Sequence, residues 1–187
     1  DLGLSKSLST EQAIYFRHAK SYRVANLDEF TTPALDVNYN PINLVPQTDH
    51  TSEAGWKYSD ASSNSAGVRV YKTSLKNEIV YDPQQYGNIN LESTRRQGID
   101  LFGTYAFTKK LSLTGSIGWR ESTIEYGANH GNFVPMSAKQ VASLRADWTP
   151  VSGHKIGLGW MYVGRQFISG DFSNANSMPG YALFDLR

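Results

Sequence analysis

The feature of this chain that most limits its fold is the spacing of its strand-like segments. Eight stretches alternate apolar and polar residues, and the gaps between them are short and long by turns. The short gaps cover about residues 62–67, 108–110 and 149–155, and the long ones about 23–50, 83–94, 125–139 and 169–180. A soluble sandwich has no reason to keep that order. A transmembrane antiparallel barrel does, because tight turns lie at its periplasmic end and long loops at its outer end.

Within the segments the period is two. Leu111, Leu113, Gly115, Ile117 and Trp119 face one way, and Ser112, Thr114, Ser116, Gly118 and Arg120 the other. Ala142, Leu144, Ala146 and Trp148 likewise oppose Ser143, Arg145 and Asp147, while Ile156, Leu158, Trp160 and Tyr162 oppose Gly157, Gly159 and Met161. Ile99–Phe107 alternates in the same manner, and Tyr71–Tyr81 reads as one further strand. Weaker strands cover about 11–22, 51–60 and 180–187, with residues 1–10 reading as a strand end and a turn. Such alternation marks a strand with one covered face. In a sandwich that face is the core; in a membrane barrel it meets lipid, and the polar face lines the lumen. Long strands, and aromatics near strand ends (Trp56, Tyr58, Tyr81, Phe107, Trp148, Tyr162), favour the barrel. Leu113, Ile117, Trp119, Leu144, Trp148, Leu158 and Trp160 are therefore expected to point outward, and Ser112, Thr114, Ser116, Arg145 and Asp147 inward.

Composition excludes several classes. Eighteen basic residues balance 17 acidic ones, which points away from nucleic acid. There is no Cys, hence no disulfide scaffold or thiolate metal site. No apolar run reaches the roughly 18 residues of a membrane helix, and a mean hydropathy of −0.44 is compatible with barrel strands. No nucleophile elbow or P-loop is present, and Gly157-Leu158-Gly159 lies inside a strand rather than opening a helix, so no enzyme and no cofactor is expected. The four histidines lack metal-ligand spacing. His50 and His130 fall in the long gaps as isolated ligand candidates. Asp171, Asn174 and Asn176 could offer oxygens to Ca²⁺, but turn chemistry explains them more simply. Arg95 and Arg96 are expected on opposite faces of one strand, one at the interface and one in a lumen charge network.

Several motifs, in order, then resemble TonB-dependent outer-membrane receptors. Ser21–Glu29 resembles that family's aromatic-Arg-x-Pro strand end with its acidic stretch, with Ala25 where Pro is common. Asn43-Leu44-Val45-Pro46-Gln47 followed by Glu53-Ala54-Gly55, and Asn77–Asp82, resemble the segments that come next. Asn88-Ile89-Asn90 followed by Thr94–Asp100, then Gly131–Pro135 and Pro179–Asp185, complete the series. The resemblance covers about residues 12–187. It implies an all-β transmembrane antiparallel barrel of about 22 strands, of which this chain would supply about eight. Residues 1–187 would then be a partial barrel domain, with the plug, the TonB-contacting box and the closing strands elsewhere.

The family reading implies ligand-gated active transport in the bacterial outer membrane. Its partners would be a small-molecule metal chelate, TonB through the missing N-terminal part, and outer-membrane lipid. Residues 24–41 contain no His between the first two motifs, which points to a ferric siderophore or another chelate rather than haem. Tyr22, Arg23, Tyr86, Tyr126, His130 and Phe172, in or beside the long gaps, are the candidate ligand-binding residues, since aromatic faces and a guanidinium suit a bulky anionic complex. A passive porin and a soluble β-rich binding module are the alternative readings.

Overall fold

The computed structural model describes residues 1–187. In chain order the elements are β1 (Leu2–Ser7), β2 (Gln12–Arg23), α1 (Leu27–Thr31), β3 (Gln47–Ser59), β4 (Ser65–Lys76), β5 (Glu78–Asp82) and β6 (Gly87–Leu91). They continue with β7 (Thr94–Thr108), β8 (Leu111–Ile124), β9 (Gln140–Trp148), β10 (Ile156–Val163), β11 (Gln166–Phe167), β12 (Ser177–Met178) and β13 (Tyr181–Leu186). Nine strands form one sheet in the order β1-β2-β3-β4-β7-β8-β9-β10-β13, with each neighbouring pair antiparallel. The sheet is open, with β1 and β13 as its edges. β5 pairs with β6, and β11 with β12, as small hairpins inside long loops.

The loop rhythm holds at every connection between successive strands of the sheet. Residues 8–11, 60–64, 109–110 and 149–155 make one end, and residues 24–46, 77–93, 125–139 and 164–180 the other. Two boundaries differ from the sequence reading. Residues 2–7 are a ninth strand, in register with β2 from Leu2 opposite His18 to Ser7 opposite Ala13. The stretch Tyr71–Tyr81 is not one strand: Asn77, at φ 56°, breaks it into β4 and β5. Asn tolerates this left-handed conformation better than most residues, so the apolar alternation runs across a break it cannot signal.

Register joins the apolar positions into one face. Ile117 lies opposite Leu101 and Ala142, and Gly115 lies between Gly103 and Leu144. Leu144 in turn faces Trp160. No second sheet covers this face, since the only other sheets are the two hairpins. In the middle of the wall the ion pairs sit on the opposite face. Arg69 donates to Asp100 (Nε to Oδ2, 3.1 Å) and lies 3.7 Å from Glu53, while Arg145 donates to Asp147 at 3.0 Å with Lys155 at 3.4 Å. Glycines on this polar face make room for neighbours: a Cβ at Gly67 would overlap the Phe102 ring, and one at Gly159 the Asp185 carboxylate. Close side-chain approach therefore explains Gly157-Leu158-Gly159 without a nucleotide.

Few residues are buried, 22 of 187, and they gather mostly at the long-loop end: Ala34, Leu75, Glu78, Ile79, Asn88, Leu91, Thr94, Ile124, Val134 and Asp171 among them. The compact packing of this chain thus lies among its loops, while both faces of the sheet wall stay open.

Candidate functional site

The long loops are built by local turn chemistry and then locked together. Asp36 and Asp82 each accept from the backbone N–H two residues on (Asn38 and Gln84; 2.8 and 2.9 Å), the Asx arrangement that sets a tight turn. The Asp36 carboxyl is held below the usual carboxylate range, first by the Asn40 N–H and then by that of Asn38. Asn26 caps α1 by accepting from Glu29 N–H at 2.8 Å, and the Glu29 carboxylate accepts in return from Asn26 N–H at 2.9 Å. Arg23 donates to that same carboxylate at 2.6 Å and to the Ile79 carbonyl at 3.2 Å. The guanidinium lowers the Glu29 pKa, with the Asn26 N–H adding to the effect.

Longer-range bonds interlock the loops. Ala34 N–H donates to the Asn88 carbonyl (2.9 Å) and Asn88 N–H to the Thr32 carbonyl (2.8 Å), which lays residues 32–34 along β6. The buried Asn88 amide also donates to the Thr32 carbonyl (2.9 Å) and hydroxyl (2.8 Å). A Cβ at Gly87 would overlap the Ala34 backbone, so only glycine permits this contact. Gln84 donates to the Gly170 carbonyl at 3.2 Å, tying the β5–β6 tip to the loop after β11. That loop is stitched to residues 125–139 by Asn132 donating to the Phe172 carbonyl (2.8 Å). Asn174 completes the seam, accepting from Phe133 N–H (2.6 Å) and donating to Phe133 O (2.9 Å).

Asn88→Ala should therefore leave the Thr32 carbonyl and hydroxyl short of a partner and cost about 1–3 kcal/mol of local loop stability. Faster amide exchange at residues 32–34 and 87–89, with the sheet unchanged, is the expected reading. Unchanged exchange there would contradict it.

The oxygens of the Asp171 cluster are used in the turn. Asp171 accepts from the Ser173 hydroxyl (2.6 Å) and from Asn176 N–H (2.5 Å), which together draw its carboxyl below the usual range, the Ser173 contribution being the larger. Because the folded value lies below the unfolded one, this contribution to the loop is full above about pH 4 and is lost as the pH falls through the depressed folded value. After correction for the intrinsic rate, amide exchange at residues 171–176 should quicken on acidification through that range. It should already be fast at neutral pH in Asp171→Ala. A flat profile in the unaltered chain would contradict this.

The sequence-derived candidates all map to the long-loop end. Tyr22 (77% exposed), Tyr86 (84%) and Tyr126 (67%) are open, His130 is exposed and Phe172 half-buried. Tyr86 stands at the β5–β6 tip with φ 50°. Tyr86, Tyr126, His130 and Phe172 belong to the three loops joined by Gln84, Asn132 and Asn174. Arg23 is different, because its guanidinium is engaged by Glu29 and Ile79. Sequence reasoning passed over Tyr39 (85% exposed) and Phe30 (70%), which stand open on the loop 24–46. Tyr39 hides in an Asn-rich turn, and Phe30 lies on a five-residue helix too short to show a period.

His50 is not in a loop but in β3, its ring 6.2 Å from that of His18. No three His, Asp or Glu side chains converge in a metal-binding group. Arg95 and Arg96 take opposite faces as expected: Arg95 pairs with Glu125 at 3.3 Å, and Arg96 with Glu78.

Comparison with known proteins agrees with this architecture. A family model described as TonB dependent receptor-like, beta-barrel, matches residues 2–187. No curated protein matches the sequence. Among solved structures, the ferric yersiniabactin uptake receptor FyuA from Yersinia pestis superposes with a TM-score of 0.75 at 18% identity, over 98% of this chain and 28% of that one. The siderophore receptor PiuA from Acinetobacter baumannii gives 0.72 at 20% identity, over 98% and 28%. The copper transporter OprC gives 0.74 at 15%, over 97% and 29%. The chain thus spans less than a third of the length of these proteins.

Proposed function

The chain belongs to the TonB-dependent receptor family, and from that premise we propose that it forms part of the outer-membrane wall of a receptor that takes up a metal chelate, most simply a ferric siderophore, by ligand-gated active transport. The observation that carries this reading is the nine-stranded wall itself. No second sheet covers its apolar face, its polar face holds the ion pairs of Arg69 and Arg145, and every long loop lies at one end. Such a wall suits lipid on one side and a polar lumen on the other, with all backbone hydrogen bonds made between strands. A ferric yersiniabactin uptake receptor and a siderophore receptor lie among its structural neighbours, which supports a chelate as cargo.

In this reading Tyr22, Tyr86, Tyr126, His130 and Phe172 offer the ligand ring faces and an imidazole at the outer end, on loops whose mutual hydrogen bonds keep them in place before binding. Arg23 contributes by holding α1 and β5 together at the rim. The polar face meets a plug domain supplied by another part of the same protein, and TonB acts through that part. The test is uptake of a panel of iron-55 ferric chelates by cells that carry or lack the whole receptor. Saturable uptake of one chelate, abolished by a protonophore, is expected. Uptake that persists after the inner membrane is de-energised would replace the reading with a passive channel.

A further inference from the structure

Two strands, β2 and β4, carry lysines just above the apolar stretch of the lipid-side face. Counted upward from the short-turn end, Trp119 stands eight residues above the start of β8 at Leu111. Lys20 stands eight above the start of β2 at Gln12, and Lys72 seven above the start of β4 at Ser65, while register sets Trp119 in line with Ile99 and Val70, one same-face row below Lys72. For strands tilted about 40°, eight residues climb roughly 20 Å, still within the ~25 Å apolar band of a barrel.

Register places both lysines on the apolar face. Lys72 lies opposite Ser52, which lies opposite His18; Lys20 lies opposite His50, which lies opposite Ser74. The residues two below on the same face are Val70 and His18, and Phe16 and Val68 follow. Lys76 continues the row upward on β4. All three lysines are exposed and none makes an ion pair. β2, β3 and β4 present no carboxylate on this face, because Asp49 and Glu53 alternate to the other. The nearest acids of the same face lie further round the wall and are engaged, Glu121 by Gln97 (3.0 Å) and Glu125 by Arg95 (3.3 Å).

Below Lys72 the same face hollows out. The cross-strand row Ala66–Gly103–Gly115 has almost no side chain, and Trp56, Val68, Leu101, Ile117, Leu144 and Trp160 flank it as a furrow of about 730 Å³. From Lys72 to Ala66 is six residues, roughly 20 Å along the strand, the reach of an acyl chain.

We propose that this face binds one phosphate-bearing lipid of the outer leaflet, with its phosphate held between Lys20 and Lys72, and Lys76 above them. An acyl chain runs down β4 over Val70 and Val68 into the furrow. Charge complementarity selects the occupant: ammonium groups without an acidic partner at the edge of an apolar band attract an anion, and a lipid phosphate arrives at that depth with its own apolar tail. The inference rests on the reading that the apolar face meets the outer membrane.

The test uses the whole receptor, purified in nonionic detergent and incubated with either diphosphorylated lipid A or its fully dephosphorylated form. Retained lipid is counted by native mass spectrometry. The unaltered receptor is expected to retain the phosphorylated lipid about thirtyfold better, roughly fivefold per lysine. Lys20→Gln with Lys72→Gln should remove that preference, while Lys109→Gln with Lys110→Gln, at the short-turn end, should keep it. Equal retention of the two lipids by the unaltered receptor overturns the proposal, however the variants behave; so does an undiminished preference in the Lys20/Lys72 variant. A receptor that takes up its chelate but shows no lipid preference overturns the lipid site alone. One absent from the outer-membrane fraction overturns the reading beneath it.

Discussion

Leu144→Arg, made in the whole receptor, should destabilise the inserted barrel by about 2–4 kcal/mol. Leu144 lies on the apolar face opposite Gly115, with Leu111 and Trp119 four residues away on either side along β8, so it sits near the middle of the band. An arginine there must leave its guanidinium in hydrocarbon or bend a long way to water. The adjacent Ser143 points to the polar face, where its hydroxyl lies 2.8 Å from that of Ser116. Ser143→Arg should therefore cost far less, since charged side chains already line that side. Urea unfolding in lipid vesicles measures both. Equal costs at the two positions would remove the distinction between a lipid face and a lumen face.

Tyr126→Ala combined with His130→Ala should weaken chelate uptake roughly tenfold to a hundredfold in apparent affinity, with surface expression unchanged. Both side chains are exposed on the loop 125–139, so truncating them removes contact area without opening a core. The loop keeps its own anchors: Glu125 N–H donates to the Ser93 carbonyl at 2.8 Å, and Asn132 and Asn174 bind the seam to the neighbouring loop. Direct binding of the labelled chelate to whole cells is the measurement. Full affinity in the double variant would exclude this loop as a binding element.

Much of the wall was legible because a strand with unlike faces writes a period of two into the sequence. Leu113, Ile117 and Trp119 could be assigned together without any knowledge of their partners. β1 was harder: six residues with two serines and a glycine give little alternation to read, and its pairing with β2 decides it. Asn77 was hidden because one residue in a left-handed conformation breaks a strand without breaking the apolar pattern around it.

At the loop end, sequence could nominate aromatic residues but not their arrangement. The contact of Asn88 with Thr32 spans 56 positions, and that of Asn132 with Phe172 spans 40. No local pattern encodes such pairings. For the same reason Arg23 looked like a free ligand group, whereas the fold turns it toward Glu29 and the Ile79 carbonyl. The lysines on β2 and β4 were equally visible in sequence, but their meaning depends on register, which puts them on the apolar face and sets Lys72 one same-face row above Val70, Ile99 and Trp119.

The most direct test of the membrane wall is single-cysteine labelling, since this chain has no native Cys. Asn129→Cys lies in a long loop and Lys109→Cys in the tight turn between β7 and β8, at opposite ends of the sheet. Intact cells expressing the whole receptor are treated with a membrane-impermeant maleimide, alongside cells whose outer membrane has been opened. Labelling at residue 129 in intact cells, and at residue 109 only after opening, is the expected result. Labelling at 109 but not 129 in intact cells would invert the topology, and equal labelling at both in intact cells would contradict a membrane-spanning wall.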